Sequence, residues 1–375
     1  MSWEMVNIND MCRPRQWKTL SMDKLENKGF PVYGANGIIG YFSEYTHENP
    51  TIAITCRGAT CGTVHITEPK SYINGNAMAL DNVSNDFDIK FLYYYFQNRG
   101  FNDVISGSAQ PQITGEGLSK VQIPLPPLAT QKRIAEILDA ADALRRKDQE
   151  LLKKYDELAQ AIFIDMFGDP VKNEKGWETK ALKNITSKIG SGATPTGGKT
   201  AYKSEGISLI RSMNVYDLAF KWKDLAFIDE TQATRLNNVT VESKDVLFNI
   251  TGASVCRCSI VPDELLPARV NQHVAIIRAK KDCLNPIFLN HLLVSNSVKI
   301  KLLGVGSGGG AVMEAITKDQ LEQFEIIVPP IKLQDKFEQL INSVFAQKSA
   351  EIATIKASEM FFNSLIQKAF KGELV

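Results

Sequence analysis

The segment that opens at Pro126 and closes at Gly168 occurs twice in this chain of 375 residues. The second copy opens at Pro329, and the offset of 203 holds without a gap. Pro126 and Pro127 answer Pro329 and Pro330, Gln131 answers Gln334, Leu138 answers Ile341, and Phe167 answers Phe370. Upstream, Thr114, Leu118 and Ile123 answer Thr317, Leu321 and Ile326 at the same offset. Each copy starts at a double proline, which suits the first turn of a helix and not its interior. Each then continues for about forty residues with neither proline nor glycine, a rod of roughly 60 Å at ~1.5 Å per residue. In the first copy Ile137, Ala141, Leu144, Asp148, Leu151, Tyr155, Leu158 and Ile162 alternate spacings of four and three, which predicts one mostly apolar seam. A repeat of this kind constrains the fold more than any local propensity. The chain is two copies of one unit, a globular region followed by a long helix.

The boundaries follow: globular regions over 1–126 and 171–329, and spacer helices over 127–170 and 330–375. The first globular region alternates short strands with turns. Pro31–Phe42 predicts a hairpin closed by an Asn-Gly turn, and Thr51–Thr67 predicts two strands about a bend. Ala77–Leu80 predicts another strand, Ile89–Gln97 a short buried helix, and Lys120–Leu125 a last strand. In the second region Asp245–Val261 answers Thr51–Ile66, Val270–Ile277 answers Asn74–Leu80, and Phe288–Val294 answers the short helix. Trp177-Glu178 answers Trp3-Glu4 at the smaller offset of 174, so the second region carries an insertion of nearly thirty residues. The fold class is α+β: two mixed, strand-rich domains separated by two long helices, with an internal repeat.

Composition narrows the function. A hydrophobic content of 44% supplies real cores, and no apolar run reaches the length of a membrane span. The start MSWEMVNINDMCRPR carries acids and lacks an apolar core segment, so it is not read as a signal peptide, and six cysteines without one suggest reduced thiols in a cytoplasm. Cys56–Cys61 and Cys256–Cys258 lack zinc-ligand spacing, so buried thiols are the better reading. Gly192–Thr200 (GATPTGGKT) resembles a phosphate loop but has Ala193 where that motif needs glycine, and Pro195 interrupts it. Gly304–Gly310 (GVGSGGG) lacks the strand and helix of a dinucleotide loop, and the four histidines are scattered. No catalytic constellation stands out. The formal charge of +1 is not that of a basic nucleic-acid binder, so any such role rests on local patches or on partners.

The order globular region, helix, globular region, helix resembles the specificity subunit of type I restriction–modification systems. So do the helix entries IPLPPLATQKRIAEILD and IIVPPIKLQDKFEQLIN, the helix end AIFIDMFGDP and the final AFKGEL. PVYGANGIIGY, TCRGATCG, SGSAQPQIT and SGATP look like parts of that family's target-recognition domains. The resemblance implies a non-catalytic, cytoplasmic subunit whose two domains each read half of a bipartite, asymmetric site in double-stranded DNA. The two long helices would pair as an antiparallel coiled coil with a pseudo-twofold relation, set the gap and dock two methyltransferase subunits, and the assembly would recruit restriction subunits. S-adenosylmethionine, ATP and Mg²⁺ would belong to those partners, leaving no cofactor and no metal in this chain. Two alternatives remain open on the residues alone: a protein-interaction scaffold, and a DNA nuclease built from dispersed carboxylates.

Candidate base-reading residues are loop side chains that can match base edges, Arg to guanine and Asn or Gln to adenine. In the first domain these are Asn36, Arg57, Thr60, Gln110 and Gln112; in the second, Thr194, Lys199, Arg211, Asn214, Ser254 and Arg257. Arg57 and Arg211 lead the set, each lying between a predicted strand and a turn. Lys70, Arg99, Lys188 and Lys203 are candidate phosphate contacts. The bland reading of every one is a turn stabiliser or a solvated charge.

Overall fold

In the computed structural model residues 3–107, 109–195, 197–306 and 315–374 are described, the side chains at 199, 200, 305 and 306 excepted. The two repeat segments are uninterrupted helices, Leu128–Phe167 of 40 residues and Ile331–Lys371 of 41 residues. Gly168 (φ +75°) and Gly372 (φ +73°) end them in the left-handed conformation that glycine adopts without strain.

The chain forms two compact units, Met1–Leu151 with Glu351–Val375, and Leu152–Ala350. Each unit therefore holds a globular region together with the leading part of one long helix and the trailing part of the other. Within the first unit the helix Ile89–Arg99 reports how they run. Asp88 and Tyr94 meet Gln131 and Asp139 in ascending order, while Phe91 and Tyr94 meet Phe370 and Phe362 in descending order. Within the second unit Asp156 pairs with Lys348 and Phe163 packs on Phe337, again ascending against descending. The helices are antiparallel in both units.

The seam differs from the expected one. Leu144, Leu151 and Leu158 are 51%, 36% and 45% exposed; Asp148 is buried as expected, while Asp142 and Ala159 are buried where the leucines were expected. The phase is set at the start of the helix by Ile134 and Leu138, which enter the core with Phe362, Ile366 and Ala369. The buried Asp142 is tolerated because its charge is met. The Asp142 carboxylate lies 2.5 Å from both Arg145 and Arg146, and the Arg145 guanidinium lies over the Phe362 ring at 4.7 Å.

Sheet topology repeats strand for strand. In the first unit a four-stranded sheet runs in the order Arg13–Gln16, Ala77–Asp81, Ile52–Thr55, Val64–Ile66. A three-stranded sheet runs Gly37–Phe42, Phe30–Gly34, Tyr72–Ile73, and Met5–Asn7 pairs with Gln122–Pro124. In the second unit the same orders are Thr186–Ser191, Val274–Ala279, Val246–Asn249, Cys258–Ile260; then Ala226–Ile228, Ile207–Ile210, Ala268–Val270; then Thr179–Ala181 with Glu325–Ile327. The β-bulge is copied as well. Gly62 N–H donates to Thr55 O and Thr55 N–H to Thr63 O, as Cys256 does to Asn249 and Asn249 to Arg257. Gly62 has φ +95° and Cys256 φ +67°, so the second copy holds a non-glycine residue in the left-handed bulge position. Part of the insertion lies between Ile210 and Ala226, where the two-residue turn of the first hairpin is replaced by a longer excursion carrying its own pair, Val215–Tyr216 with Ala219–Phe220.

One device ties each long helix to its globular region. Gln131 and Gln334 are each 0% exposed. Gln131 Oε1 accepts from Asp88 N–H (2.9 Å), and its Nε2 donates to Pro126 O (2.9 Å) and Asp86 O (2.8 Å). Gln334 does the same to Asn285 N–H (2.9 Å), Pro329 O (2.7 Å) and Cys283 O (3.1 Å). Asp88 and Asn285 are the N-caps of the short buried helices, so the glutamine of the repeated Pro-Pro-x-x-x-Gln spacing joins the start of the long helix to the start of the short one.

Candidate nucleic-acid interface

The first unit brings its five nominated residues to one cluster of loops. Asn36 is exposed on the two-residue turn between Phe30–Gly34 and Gly37–Phe42. The carbonyl of its neighbour Ala35 accepts from Thr55 Oγ1 (2.9 Å) and Thr60 Oγ1 (2.8 Å), which fastens that turn to the loop after Ile52–Thr55. Arg57 in that loop forms an antiparallel bridge with Gln112, and Gln112 also pairs with Ser106. Bonds from Gly58 N–H to Pro111 O (3.1 Å) and from Ile113 N–H to Cys56 O (3.0 Å) hold the bridge on either side. Arg57, Thr60, Gln110 and Gln112 are all exposed. Thr60 spends its hydroxyl on the scaffold, which makes it a positioning residue.

The second unit builds the same platform from different side chains. Asn249 replaces Thr55, and its Nδ2 donates to Ser212 O (2.9 Å), the counterpart of Ala35 O. Ser254, at the position of Thr60, accepts from Asn249 Nδ2 (3.2 Å). Thr251 bridges Ala315 as Arg57 bridges Gln112, with Ile316 N–H donating to Ile250 O (2.8 Å). Thr194 lies on the loop after Thr186–Ser191 and bonds Gln272, which in turn meets His273 Nε2 at 2.8 Å. Arg257 is half-buried with its guanidinium 4.4 Å from the Tyr216 ring centre, and Lys221 Nζ lies 3.8 Å from the same ring. Lys221, then Arg257, hold the Tyr216 phenol below its usual pKa.

Two nominated residues are structural here. Asn214 is fully buried, its Nδ2 donating to Lys221 O (2.9 Å) and Lys223 O (3.3 Å) and its Oδ1 accepting from Arg211 N–H. The Arg211 guanidinium is half-buried, bonds Asp224 O and lies 5.3 Å from the Tyr202 ring. The Lys199 side chain and most of the 304–310 loop lie outside the described residues. Of the phosphate candidates, Lys70 pairs with Glu48, Arg99 with Asp103 and Lys203 with Asp229. Lys188 has none of these ion pairs and sits on the edge strand Thr186–Ser191. Gly192 owes its place to packing rather than to a phosphate, because a Cβ there would stand 1.7 Å from Val270 O.

Sequence reasoning missed Lys221, Tyr216 and the Thr251–Ala315 bridge. The offset of 203 was the available signal for Ala315, since it maps Gln112 onto that position. The Tyr216 cluster had no signal, because it lies in the unrepeated insertion. Catalytic chemistry finds little support in this neighbourhood. Burial pushes the Cys56 thiol up, away from the reactive thiolate. Among the described residues no cluster of three His, Cys, Asp or Glu could hold a metal ion, and no helix is long and apolar enough to cross a membrane.

Comparison with known proteins gives a consistent result. The family model described as the type I restriction modification DNA specificity domain matches residues 1–154 and 174–357. The specificity subunit of the type I restriction enzyme MjaIX of Methanocaldococcus jannaschii is 28% identical over 309 residues, covering 76% of this chain and 69% of the relative. The putative type I restriction enzyme specificity subunit S.HindORF215P of Haemophilus influenzae is 26% identical over 373 residues, covering 91% and 87%. In fold, the crystal structure of a type I restriction–modification S subunit from M. genitalium superposes with a TM-score of 0.60 at 14% identity, over 99% of this chain and 96% of that one.

Proposed function

The chain belongs to the family of type I restriction–modification DNA specificity subunits, and from that premise we propose that each unit reads one half of a bipartite, asymmetric DNA site. It is a DNA-recognition subunit without catalytic activity of its own. The observation that carries the two-half reading is the duplicated platform. The same strand ends and the same carbonyl clips, Thr55 to Ala35 and Asn249 to Ser212, present different exposed side chains in the two units. A shared scaffold with divergent loop tips is what two readers of unlike sequences require.

In this reading Asn36, Arg57, Gln110 and Gln112 face the first half-site, and Thr194 with the Thr251–Ser254 loop faces the second. Lys221 and Arg257 grip the sugar–phosphate backbone beside the second half-site. Two cations share one tyrosine ring there, and neither takes part in an ion pair among the described residues. The long helices fix the gap between half-sites and dock two methyltransferase subunits. Leu144, Leu151 and Leu158 recur every seven residues on one exposed helix face, and Met360 and Phe361 are exposed on the other helix. Restriction subunits join the same assembly in the cytoplasm. S-adenosylmethionine, ATP and Mg²⁺ serve those partner subunits, and partner surfaces supply the phosphate contacts that a net charge of +1 cannot.

The test is a chimera in which residues 1–125 are exchanged for the corresponding region of another member of the family, assayed by the methylated motif it directs. Replacement of one half-site, with the other half and the gap unchanged, supports the reading. A chimera that still marks the original full site sinks it.

A further inference from the structure

The two units differ in chemistry at a point where their backbone pairing is the same. In each, the second residue after a central strand of the four-stranded sheet forms an isolated antiparallel bridge with a second loop: Arg57 with Gln112, and Thr251 with Ala315. The hydrogen bond beside the bridge is also shared, Ile113 N–H to Cys56 O (3.0 Å) and Ile316 N–H to Ile250 O (2.8 Å). Residues directly opposite in an antiparallel pair send their side chains to the same face, with Cα atoms roughly 4.5–5.5 Å apart. In the first unit Gln112 pairs with Ser106 on its other side, so Arg57, Gln112 and Ser106 form a short row. All three are exposed. Neither the Arg57 guanidinium nor the Gln112 amide has a hydrogen-bond or ion-pair partner among the described residues, although bonds on both sides fix their backbones. Long polar side chains of this kind, left unpaired on a rigid platform, are arranged for a ligand rather than for stability.

We propose that the Arg57–Gln112 bridge is a two-base reader, with Arg57 taking the O6 and N7 edge of a guanine and Gln112 taking the N6 and N7 edge of an adenine in the neighbouring base pair. The inference rests on the DNA-reading role given above and deepens it. The chemistry is the bidentate match of guanidinium to guanine and of carboxamide to adenine in the major groove. The bridge spacing of roughly 5 Å lets two side chains converge on steps about 3.4 Å apart. The second unit cannot read such a step at the same place. Thr251 spends its hydroxyl on His273 Nδ1 (2.6 Å), and Ala315 carries only a methyl group. Reading such a step at the bridge is therefore confined to the first half-site, and the bridge position is one source of the asymmetry of the whole site.

The experiment uses the full chain assembled with its methyltransferase subunits. The wild-type methylated motif is mapped first, then the motifs directed by Arg57→Ala, Arg57→Lys and Gln112→Ala. Binding is measured on duplexes carrying each base at the affected positions, and on one with 7-deazaguanine at the assigned guanine. The expected result is a first half-site containing a G·C pair beside an A·T pair. Arg57→Ala and Arg57→Lys should relax the guanine position by roughly tenfold or more in discrimination, Gln112→Ala should relax the adjacent adenine, and the second half-site should stay strict. In the wild type 7-deazaguanine should cost as much as Arg57→Ala, and combining them should cost no more. Arg57→Lys keeps the charge, so it separates base reading from phosphate attraction. The proposal is overturned if both positions stay strict in the variants, or if Arg57→Ala weakens all sequences equally with a shallower salt dependence. A wild-type complex that directs methylation to no motif would instead overturn the DNA-reading role itself, before any variant is compared.

Discussion

Replacing Gln131 by leucine tests whether the repeated proline–glutamine entry is structural. The side chain is fully buried and makes three hydrogen bonds, to the Asp88 N–H and Asp86 carbonyl of one backbone segment and the Pro126 carbonyl of another. Leucine matches its bulk but satisfies none of them. Each buried group left unpaired costs about 1–3 kcal/mol. Leucine recovers part of this through its own apolar burial, so the net loss is about 3 kcal/mol. For a unit of this size a loss of about 1 kcal/mol lowers the melting temperature by roughly 2–4 °C, so the midpoint of the first unit should fall by about 10 °C. Gln334→Leu should do the same to the second unit. Gln149→Leu, at an exposed position on the same helix, should change stability by no more than about 0.5 kcal/mol. Thermal denaturation followed by segment-resolved hydrogen exchange is the assay, with protection lost first at the start of the helix Ile89–Arg99. A Gln131→Leu midpoint within about 2 °C of wild type would refute the claim that these clips hold helix and domain together.

Three further outcomes follow from other sites. The double variant Lys221→Ala, Arg257→Ala should lower the slope of log affinity against log salt by about two without changing the motif recognised, and a changed motif would show base reading instead. His291, buried against Phe337 and Phe345, is held down to about 4 from an ordinary 6.5 by desolvation. Unfolding lets it take up a proton between those values, so its contribution is full above about 6.5 and drops by about 3 kcal/mol as the pH falls to about 4. His291→Phe should therefore flatten the loss of denaturation free energy over that window, and an unchanged pH profile would contradict the assignment. Leu144→Asp with Leu151→Asp should leave the fold intact, because both are exposed, while abolishing co-purification with the methyltransferase; retained co-purification would remove that face from the docking surface.

How much of this was legible in the sequence depends on which constraint was periodic. The constant offset located both long helices and the correspondence of Gln131 with Gln334, because a gapless repeat is a global constraint, whereas the antiparallel pairing came from the family resemblance. The strand Ile52–Thr55 was legible through its β-branched residues and the glycines that follow, and Val246–Asn249 through its correspondence to it. The helix seam was misphased by the regular spacing of Leu144, Leu151 and Leu158, since nothing local announces that Asp142 will be neutralised by Arg145 and Arg146 and accepted in their place. Arg211 and Asn214 illustrate a second limit. Their residue types suit base contact, yet Asn214 closes its own loop and Arg211 is drawn to Asp224 O, outcomes fixed by loop geometry rather than by propensity. The pairing of Arg57 with Gln112 joins residues 55 apart in sequence and became visible only in the fold.

The account is tested most directly by mapping N6-methyladenine across the genome of a host that carries this gene together with the methyltransferase proposed as its partner, against a deletion of this gene alone. Loss of a single bipartite, asymmetric motif on deletion is the predicted result, and it delivers both half-sites and the gap together. A methylation pattern identical in the two strains, although the chain co-purifies with the methyltransferase, would contradict the claim that this subunit chooses the sequence.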